Sequence, residues 1–337
     1  MKLITYQYDR KKYYGLYHQN KVIGFHTLSK LEKTTFPHLT EAFFNSLTIY
    51  EPIAEEWDAK FKKGAYHEHS IDYHQVKPLS PIPFPASCRD SYAFRQHVET
   101  ARRNRDVPMI PEFDQYPVFY FTNHHSIIGS GDVPCMMDHF QQLDFELEAA
   151  IVISKKGRNI DAKNADEYIF GYTIMNDLSA RVLQMDEMKL NLGPAKGKDF
   201  ATALGPILVT KDELQQYLTK PPKNHIGENY SLKMTAKVNG IQVSQGNLAD
   251  MNWTFAEIIE RASYGATLHP TDVIGSGTVG TGCFLELNGT AKLNDPNHKP
   301  QWLQPNDIVE LEITELGTLT NRITAESAHS IIAKYHL

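Results

Sequence analysis

Short alternations of apolar and polar residues run through most of the chain, and they predict β-strands with few long helices. In the first part of the chain, three Tyr-rich segments show this pattern and are joined by turn-like residues; they lie at 3–8, 13–17 and 22–25. Helical periodicity follows over 39–63. This order predicts a small, β-rich accessory domain.

A cluster of prolines marks the end of that domain. Four of them lie within eight residues, at 78, 81, 83 and 85. Because proline fixes φ and lacks a backbone donor, regular structure is excluded there and a stiff connector is expected. We therefore predict domains at 1–77 and 78–337.

The second domain shows short strands and turns, with only two convincing helices, near 90–105 and 177–190. A β-rich α+β fold follows from this order, and a doubly wound parallel sheet does not.

An acidic segment runs directly into an apolar strand. Asp144, Glu146 and Glu148 alternate with Phe145 and Leu147, so a strand here places the three carboxylates on one face. Like charges at this spacing repel, and burying them without partners costs free energy. Either this face lies in water or a divalent cation binds it, and the segment alone leaves both open.

The first predicted helix carries Asp90 and His97, seven residues apart. Two helical turns would place both on nearly one face, about 10 Å apart along the axis. One side chain could then hold an ion while the other acts on a ligand. Alternatively, Asp90 caps the helix and His97 is a hydrogen-bonded core residue.

The second predicted helix has a polar face, because Asp177, Arg181, Gln184 and Met188 recur at intervals of four, three and four. Such a face could line a polar pocket, or it could be a solvated face with an ion pair. The loop that follows contains glycines and Lys198, which could supply a fixed positive charge or be solvated.

A GxGxxG spacing occurs at 275–280, but a strand-like segment at 283–287 follows where a dinucleotide-binding unit needs a helix. We therefore exclude dinucleotide binding. The chain has no P-loop, HExxH or GxSxG motif. A histidine cluster at 67, 69 and 74 matches no metal motif and is expected on the linker surface.

Composition narrows the function classes. The 337 residues carry a formal charge of −6 without a long basic run, so nucleic acid and anionic membranes are poor partners. No segment approaches the roughly 20 apolar residues of a membrane span, and a cytoplasmic location is expected. Three cysteines without CxxC spacing indicate neither a zinc site nor a disulfide framework.

Five segments together, in this order along the chain, resemble the fumarylacetoacetate hydrolase family. They are Asp90-x6-His97, the acidic triplet of 144–148, 175–181, Gly193-Pro194 through Gly197-Lys198, and Gly277-Thr278 with 285–287. The resemblance covers about 85–320, and the small amino-terminal domain is most similar to the fumarylacetoacetase branch. It implies a mixed β-sandwich-roll, an SH3-like amino-terminal domain, a homodimer, and bound Mg²⁺ or Ca²⁺, with Mn²⁺ also compatible.

The resemblance also implies roles for single residues. Asp90, Glu146, Glu148 and Asp177 match the metal carboxylates, an oxygen-only set that suits a hard cation. His97 matches the base that activates water, and Glu286 the carboxylate that orients it. The groups that bind substrate or receive developing charge match Arg181, Lys198, Gln184, Tyr92, Thr278 and Met188. Tyrosine stands at the last position in the animal enzyme, and Met188 cannot donate a hydrogen bond there.

The implied reaction is hydrolysis of a carbon–carbon bond in a β-diketo acid, with fumarylacetoacetate as the expected substrate and aromatic amino acid catabolism as the setting. Acylpyruvate hydrolysis, oxaloacetate decarboxylation and dienoate isomerisation are alternatives in the same superfamily. A structural cation in a non-enzymatic scaffold and a two-carboxylate glycosidase are alternatives from other classes.

Overall fold

The computed structural model describes residues 1–326, and residues 327–337 of the predicted second domain lie outside the described part. The α-helices are α1 Phe25–Leu31, α2 Thr40–Phe44, α3 Leu47–Lys62, α4 Arg95–Arg103, α5 Ala162–Ala165, α6 Arg181–Met188, α7 Phe255–Ser263 and α8 Phe284–Asn294. The first strands are β1 Lys2–Tyr8, β2 Lys11–His18, β3 Lys21–Gly24, β4 Ile71–Asp72, β5 Lys77–Pro78, β6 Cys88–Ser91, β7 Phe119–Thr122, β8 Ile127–Ile128, β9 Gly131–Cys135, β10 Leu143–Asp144, β11 Leu147–Ile153 and β12 Gly157–Arg158. The later strands are β13 Ile169–Asp177, β14 Ser179–Ala180, β15 Thr202–Thr210, β16 Leu218–Thr219, β17 Asn229–Tyr230, β18 Lys233–Val238, β19 Ile241–Asn247, β20 Thr267–Leu268, β21 Val273–Gly275, β22 Ile308–Ile313 and β23 Gly317–Ala325.

A large mixed sheet forms the centre of the molecule, with the strand order β4-β3-β2-β1-β15-β13-β11-β21-β6-β7. Strand β11 is buried on both faces: Ala149, Ile151 and Ile153 pack into one hydrophobic core, and Ala150 and Val152 into another. This two-sided burial explains the continuous apolar run that follows the acidic triplet.

The two cores lie on opposite sides of the large sheet. The first includes Met234, Leu311 and Leu319 of a smaller sheet with the order β19-β18-β22-β23-β9. The second includes Phe43 and Trp57 of the amino-terminal helices. The predicted β-rich α+β fold class is confirmed by this strand-rich layering of two mixed sheets and helices.

The amino-terminal strands match the predicted segments, and β1 pairs with β2 on one side and with β15 on the other. They therefore extend the large sheet, and the expected SH3-like domain is not confirmed. The boundary between 1–77 and 78–337 stays a prediction. His67, His69 and His74 are exposed, as expected.

Two acidic residues that the sequence placed on helices lie on strands. Asp90 belongs to β6, whose backbone pairs with β21 and β7, and α4 begins only at Arg95. Asp177 ends β13, which pairs with β11 and β15, and α6 begins at Arg181. The predicted shared helical faces are wrong, because long-range strand pairing overrides the local periodicity.

The segment predicted as a strand at 283–287 begins helix α8, and α7 was also not predicted. The start of α8 is fixed by a distant side chain: Asp144 accepts hydrogen bonds from the backbone N–H groups of Phe284, at 2.7 Å, and Leu285, at 2.9 Å. A carboxylate at a helix N-terminus is favoured by the helix dipole. A cap that comes from a residue so far along the chain leaves no local sequence signal.

The glycine-rich loop is followed by helix α8 and not by a strand, so the reason given for excluding dinucleotide binding is wrong and the exclusion stays a prediction. Its strand, β21, lies between antiparallel β11 and parallel β6, and the N–H of Gly277 donates to Oδ1 of Asp90 at 3.1 Å. The loop therefore supports a carboxylate. Within residues 1–326, no helix is both long enough and apolar enough to cross a bilayer.

We predict that Asp144→Ala lowers the free energy of unfolding by about 3–5 kcal/mol, since it leaves the buried Arg181 guanidinium without one of its carboxylates. The same change at Asp132, whose ion pair with Arg322 is half-exposed, should cost no more than about 1 kcal/mol. Chemical denaturation of both variants measures this difference. Equal losses would contradict the anchoring role of Asp144.

Candidate active site and metal centre

Three buried carboxylates converge where β6, β11 and β21 meet. One oxygen each of Asp90, Glu146 and Glu148 lies within 4.8 Å of the others. Gly275 makes this possible, because a Cβ atom there would lie 2.6 Å from Asp90 Oδ1 and 3.0 Å from Glu148 Oε2. The resemblance implied that these three acids meet, and the structure brings them together. The predicted single strand with Asp144 on the same face is wrong, because β10 ends at Asp144, β11 begins at Leu147, and Asp144 caps α8.

The electrostatics of the three acids differ. Burial and the nearby charge of Asp177 raise the pKa of Asp90 to about 7, and burial together with Asp90 raises the pKa of Glu148 well above its usual range. Burial acts in the same direction on Glu146, but Lys198 and Arg181 outweigh it and lower its pKa to about 2. Lys198 offsets part of the charge at Asp90, but burial and the neighbouring carboxylates outweigh it, so the cations within residues 1–326 do not fully compensate negative charge at Asp90 and Glu148.

Lys198 connects the cluster to Asp177. Its Nζ lies 2.5 Å from Oε2 of Glu146 and 2.7 Å from Oδ2 of Asp177, and the hydroxyl of Tyr120 donates to that same Oδ2. Asp177 is not one of the three acids whose oxygens meet within 4.8 Å. Its role as a fourth metal ligand stays a prediction.

Arg181 is buried and makes ordered contacts through each guanidinium nitrogen. Nε donates to Asp144 at 2.9 Å, Nη2 to Glu146 at 2.7 Å, and Nη1 to Oε1 of Gln184 at 3.0 Å. Because Gln184 accepts through its oxygen, its amide NH₂ is the group left to contact a ligand. Arg181 is chiefly a positioning residue in this geometry.

His97 and Glu286 form a buried pair. Nδ1 of His97 lies 2.6 Å from Oε2 of Glu286. An ionised carboxylate can only accept, so the proton lies on Nδ1 and the lone pair on Nε2 is available. The ring of Tyr92 packs edge-on against His97, with centroids 5.8 Å apart. Helices α4 and α8 bring the pair together, which is the arrangement that the resemblance predicted.

A cavity of about 680 Å³ opens beside the pair and the acids. All four predicted substrate contacts line it, namely Tyr92, Gln184, Met188 and Thr278, and so do the predicted catalytic residues His97, Arg181 and Lys198. Thr278 also donates to Glu148 at 3.3 Å. The side chain of Met188 is 45% exposed and offers an apolar edge at the mouth of the cavity.

The acid cluster fits a divalent cation on chemical grounds. Oε2 of Glu148 and Oδ1 of Asp177 are buried without a hydrogen-bond partner in the described structure. Unpaired buried carboxylate oxygens are costly, and an oxygen-only donor set suits a hard cation. Asp90, Glu146 and Glu148 are the residues that could hold it.

The sequence did not identify three further residues at the site. Tyr120, on β7, contacts Asp177, and Lys292 and His298 line the cavity. Lys292 lies three residues after Gly289 on α8, so the two residues share one helical face. A helix predicted over 284–294 would have placed Lys292 on the same side as Gly289, toward the cavity. The sequence around Tyr120 carried no comparable signal.

Residues 87–324 match the family described as "Fumarylacetoacetate (FAA) hydrolase C-terminal". A relative named "Oxaloacetate tautomerase YisK", from Bacillus subtilis (strain 168), is 31% identical over 253 residues, which is 74% of this chain and 73% of that protein.

Solved structures share the fold over 97% of this chain and 100% of theirs. "Fumarylacetoacetate hydrolase (EaFAH)" from psychrophilic Exiguobacterium antarcticum is 23% identical with a TM-score of 0.64. Maleylpyruvate hydrolase from Sphingobium sp. SYK-6, in complex with manganese(II) ion and pyruvate, is 18% identical with a TM-score of 0.63.

If the acids hold a cation, Mg²⁺ or Mn²⁺ at 100 times its Kd should stabilise the wild-type protein by about 2.7 kcal/mol. Glu148→Gln should lose most of this gain without loss of stability in the absence of cation, because burial and Asp90 raise the pKa of Glu148 and already favour its neutral form there. Glu312→Gln, at an exposed position of β22, is the matched control. Thermal unfolding with and without cation tests this, and an unchanged shift in Glu148→Gln would refute it.

Proposed function

The chain belongs to the fumarylacetoacetate hydrolase family, and we propose that it is a cation-dependent enzyme that hydrolyses a carbon–carbon bond in a β-diketo acid. The family comprises enzymes that include hydrolases, isomerases and tautomerases, so the reaction must be argued from the site. The observation that carries the proposal is the buried pair of His97 and Glu286, 2.6 Å apart, beside the acid cluster. A histidine oriented by a carboxylate is suited to take a proton from water.

In this proposal Asp90, Glu146 and Glu148 hold the cation, and Asp177 completes the set. When bound, the cation supplies positive charge that polarises the reacting carbonyl and offsets negative charge on the leaving carbon fragment. Mg²⁺ or Ca²⁺ is our first choice, and Mn²⁺ is compatible with the same oxygen donors.

His97 removes a proton from a water molecule through Nε2, and the resulting hydroxide adds to the carbonyl carbon. The carbonyl oxygen becomes an oxyanion. Two of the three Lys198 protons point to Glu146 and Asp177, so the third is available to this oxyanion, together with the amide of Gln184.

Collapse of the oxyanion breaks the bond between the former carbonyl carbon and its neighbour. The electron pair moves to the neighbouring carbon as an enolate, which takes the proton back from the imidazolium of His97. The net change is addition of one water, giving a carboxylic acid and a ketone fragment. With fumarylacetoacetate the products are fumarate and acetoacetate.

The substrate proposal includes a carboxylate at the far end. One face of α8 lines the cavity through Leu285, Asn288, Gly289 and Lys292. At 1.5 Å per residue, Lys292 lies about 9 Å along the axis from Glu286. Arg105 lines the same cavity, and neither Lys292 nor Arg105 has a salt bridge within residues 1–326. A substrate with carboxylates at both ends fits this charge pattern.

A second candidate is keto–enol tautomerisation or decarboxylation of a smaller 2-oxo acid, such as oxaloacetate. The 31% identical relative named as an oxaloacetate tautomerase favours it. In tautomerisation His97 would move a proton between carbon and oxygen. In decarboxylation the substrate would lose CO₂, and the enolate left behind would take a proton on carbon from His97. Neither reaction consumes water. We also propose a cytoplasmic homodimer, which rests on composition and on the resemblance.

We predict that His97→Gln lowers kcat for diketone cleavage by about 10² to 10⁴-fold, because a general base is lost. Cation binding should not change. Loss of diketone absorbance with fumarylacetoacetate, an acylpyruvate and oxaloacetate measures the substrate range, and a cation-dependent thermal shift is the control. Cleavage that survives the substitution would contradict the proposal; stabilisation by cation with no turnover of any substrate would favour a structural role.

We further predict that Lys292→Ala raises KM about 10-fold for a dicarboxylate substrate, or about 1.4 kcal/mol of lost binding, while kcat stays near the wild-type value. KM for a monocarboxylate acylpyruvate should not change. Lys299→Ala is the control, because Lys299 is exposed like Lys292 but lies on the loop after α8. Equal changes in KM for both substrates would show that Lys292 does not bind the second carboxylate.

A further inference from the structure

A second group of potential ligands lies next to the acid cluster and differs from it in chemistry. One atom each of His97, Glu146 and Cys283 lies within 4.8 Å of the others, and all three side chains are buried. The group therefore offers a nitrogen, an oxygen and a sulfur donor. Glu146 is the only member that it shares with the three converging carboxylates.

The start of α8 explains why these residues meet. Cys283 is the residue before the helix, and Asp144 holds the next two backbone N–H groups. Because Asp144 is two residues from Glu146, this cap brings Cys283 close to Glu146. Glu286, on the first turn of α8, then holds His97.

The donor set indicates a particular class of cation. A thiolate, an imidazole and a carboxylate suit Zn²⁺, which binds four ligands and can keep one position for water. Oxygen-only sites prefer harder cations. Glu286 is hydrogen-bonded to Nδ1 of His97, so Nε2 is free to bind a metal. A carboxylate that is hydrogen-bonded to the other ring nitrogen is the usual partner of a zinc-bound histidine.

The surrounding charge is compatible with a further cation. Arg181 and Lys198 contribute two positive charges close to Glu146. Asp144, Glu146, Asp177 and Glu286, with a thiolate at Cys283, contribute five negative charges, because Asp177 also contacts Lys198. A divalent cation offsets two of the three excess negative charges. The thiol proton leaves to solvent as the bond between sulfur and metal forms.

We propose that His97, Glu146 and Cys283 form an inhibitory Zn²⁺ site. His97 and Glu146 line the cavity, so an ion enters there and meets Cys283 behind them. Inhibition rests on the proposed function, because Zn²⁺ on Nε2 removes the base that activates water. Binding itself does not depend on it. Long-range contacts thus give Cys283 a metal-binding role that cysteine spacing did not predict.

The test uses the purified full-length protein saturated with Mg²⁺. Co²⁺, which reports sulfur ligation by a near-ultraviolet charge-transfer band, is titrated first, and Zn²⁺ is then added to displace it. We expect one Co²⁺ with this band, removal of the band by Zn²⁺, and loss of diketone cleavage in proportion to bound Zn²⁺. A chelator should restore activity.

Cys283→Ser should abolish the band and weaken Zn²⁺ inhibition at least 10-fold, whereas Cys135→Ser, at another buried cysteine, should change neither. Cys283→Ala, checked for folding by thermal unfolding, repeats the test if the serine variant is unstable. Absence of the band in the wild-type protein would overturn the proposal. So would Zn²⁺ inhibition of both Cys283 variants that is as strong as that of the wild-type protein. If no substrate is turned over, the proposed function fails while the Co²⁺ band still tests the site.

Discussion

The buried guanidinium of Arg181 links the parts of the site, because it contacts Asp144 and Glu146 at the same time. Asp144 in turn holds the N-terminus of α8, the helix that carries Glu286. Glu146 belongs to the carboxylate cluster. One positive charge therefore connects the acids to the helix that orients His97. Removal of a partner from such a buried pair leaves an uncompensated charge, so the arrangement is kept as a unit.

The acids are divided into two electrostatic groups. Lys198 and Arg181 lower the pKa of Glu146, whereas burial and mutual repulsion raise the pKa of Asp90 and Glu148. Contacts with Lys198 and Arg181 are therefore enough to keep Glu146 ionised. Asp90 and Glu148 need a further cation to stay ionised. This difference explains how one pocket can hold a metal and still keep a lysine close to the reacting oxygen.

The sequence predicted the strand-rich fold and the amino-terminal strands, and Asp90, Glu146 and His97, which the resemblance assigned to metal and base, line one cavity. It predicted wrong local structure for Asp90 and Asp177, because the strand pairs that hold them join distant segments. It also missed α8, whose cap is the distant Asp144. Helix α7 was also missed, although it has a readable local signal: Thr254 and Glu257 form a capping box at its start. A local reading could therefore have found α7 but not α8.

The central claim is that water, activated by His97, is added across a carbon–carbon bond. The most direct measurement is the reaction of the cation-loaded enzyme with fumarylacetoacetate in ¹⁸O-labelled water, followed by mass spectrometry of the products. The account predicts one ¹⁸O atom in the carboxylate newly formed on fumarate, and none in the ketone of acetoacetate beyond spontaneous exchange. Enolisation or solvent hydrogen exchange of 2-oxo acids, with no ¹⁸O-labelled cleavage product from any diketo acid, would contradict it.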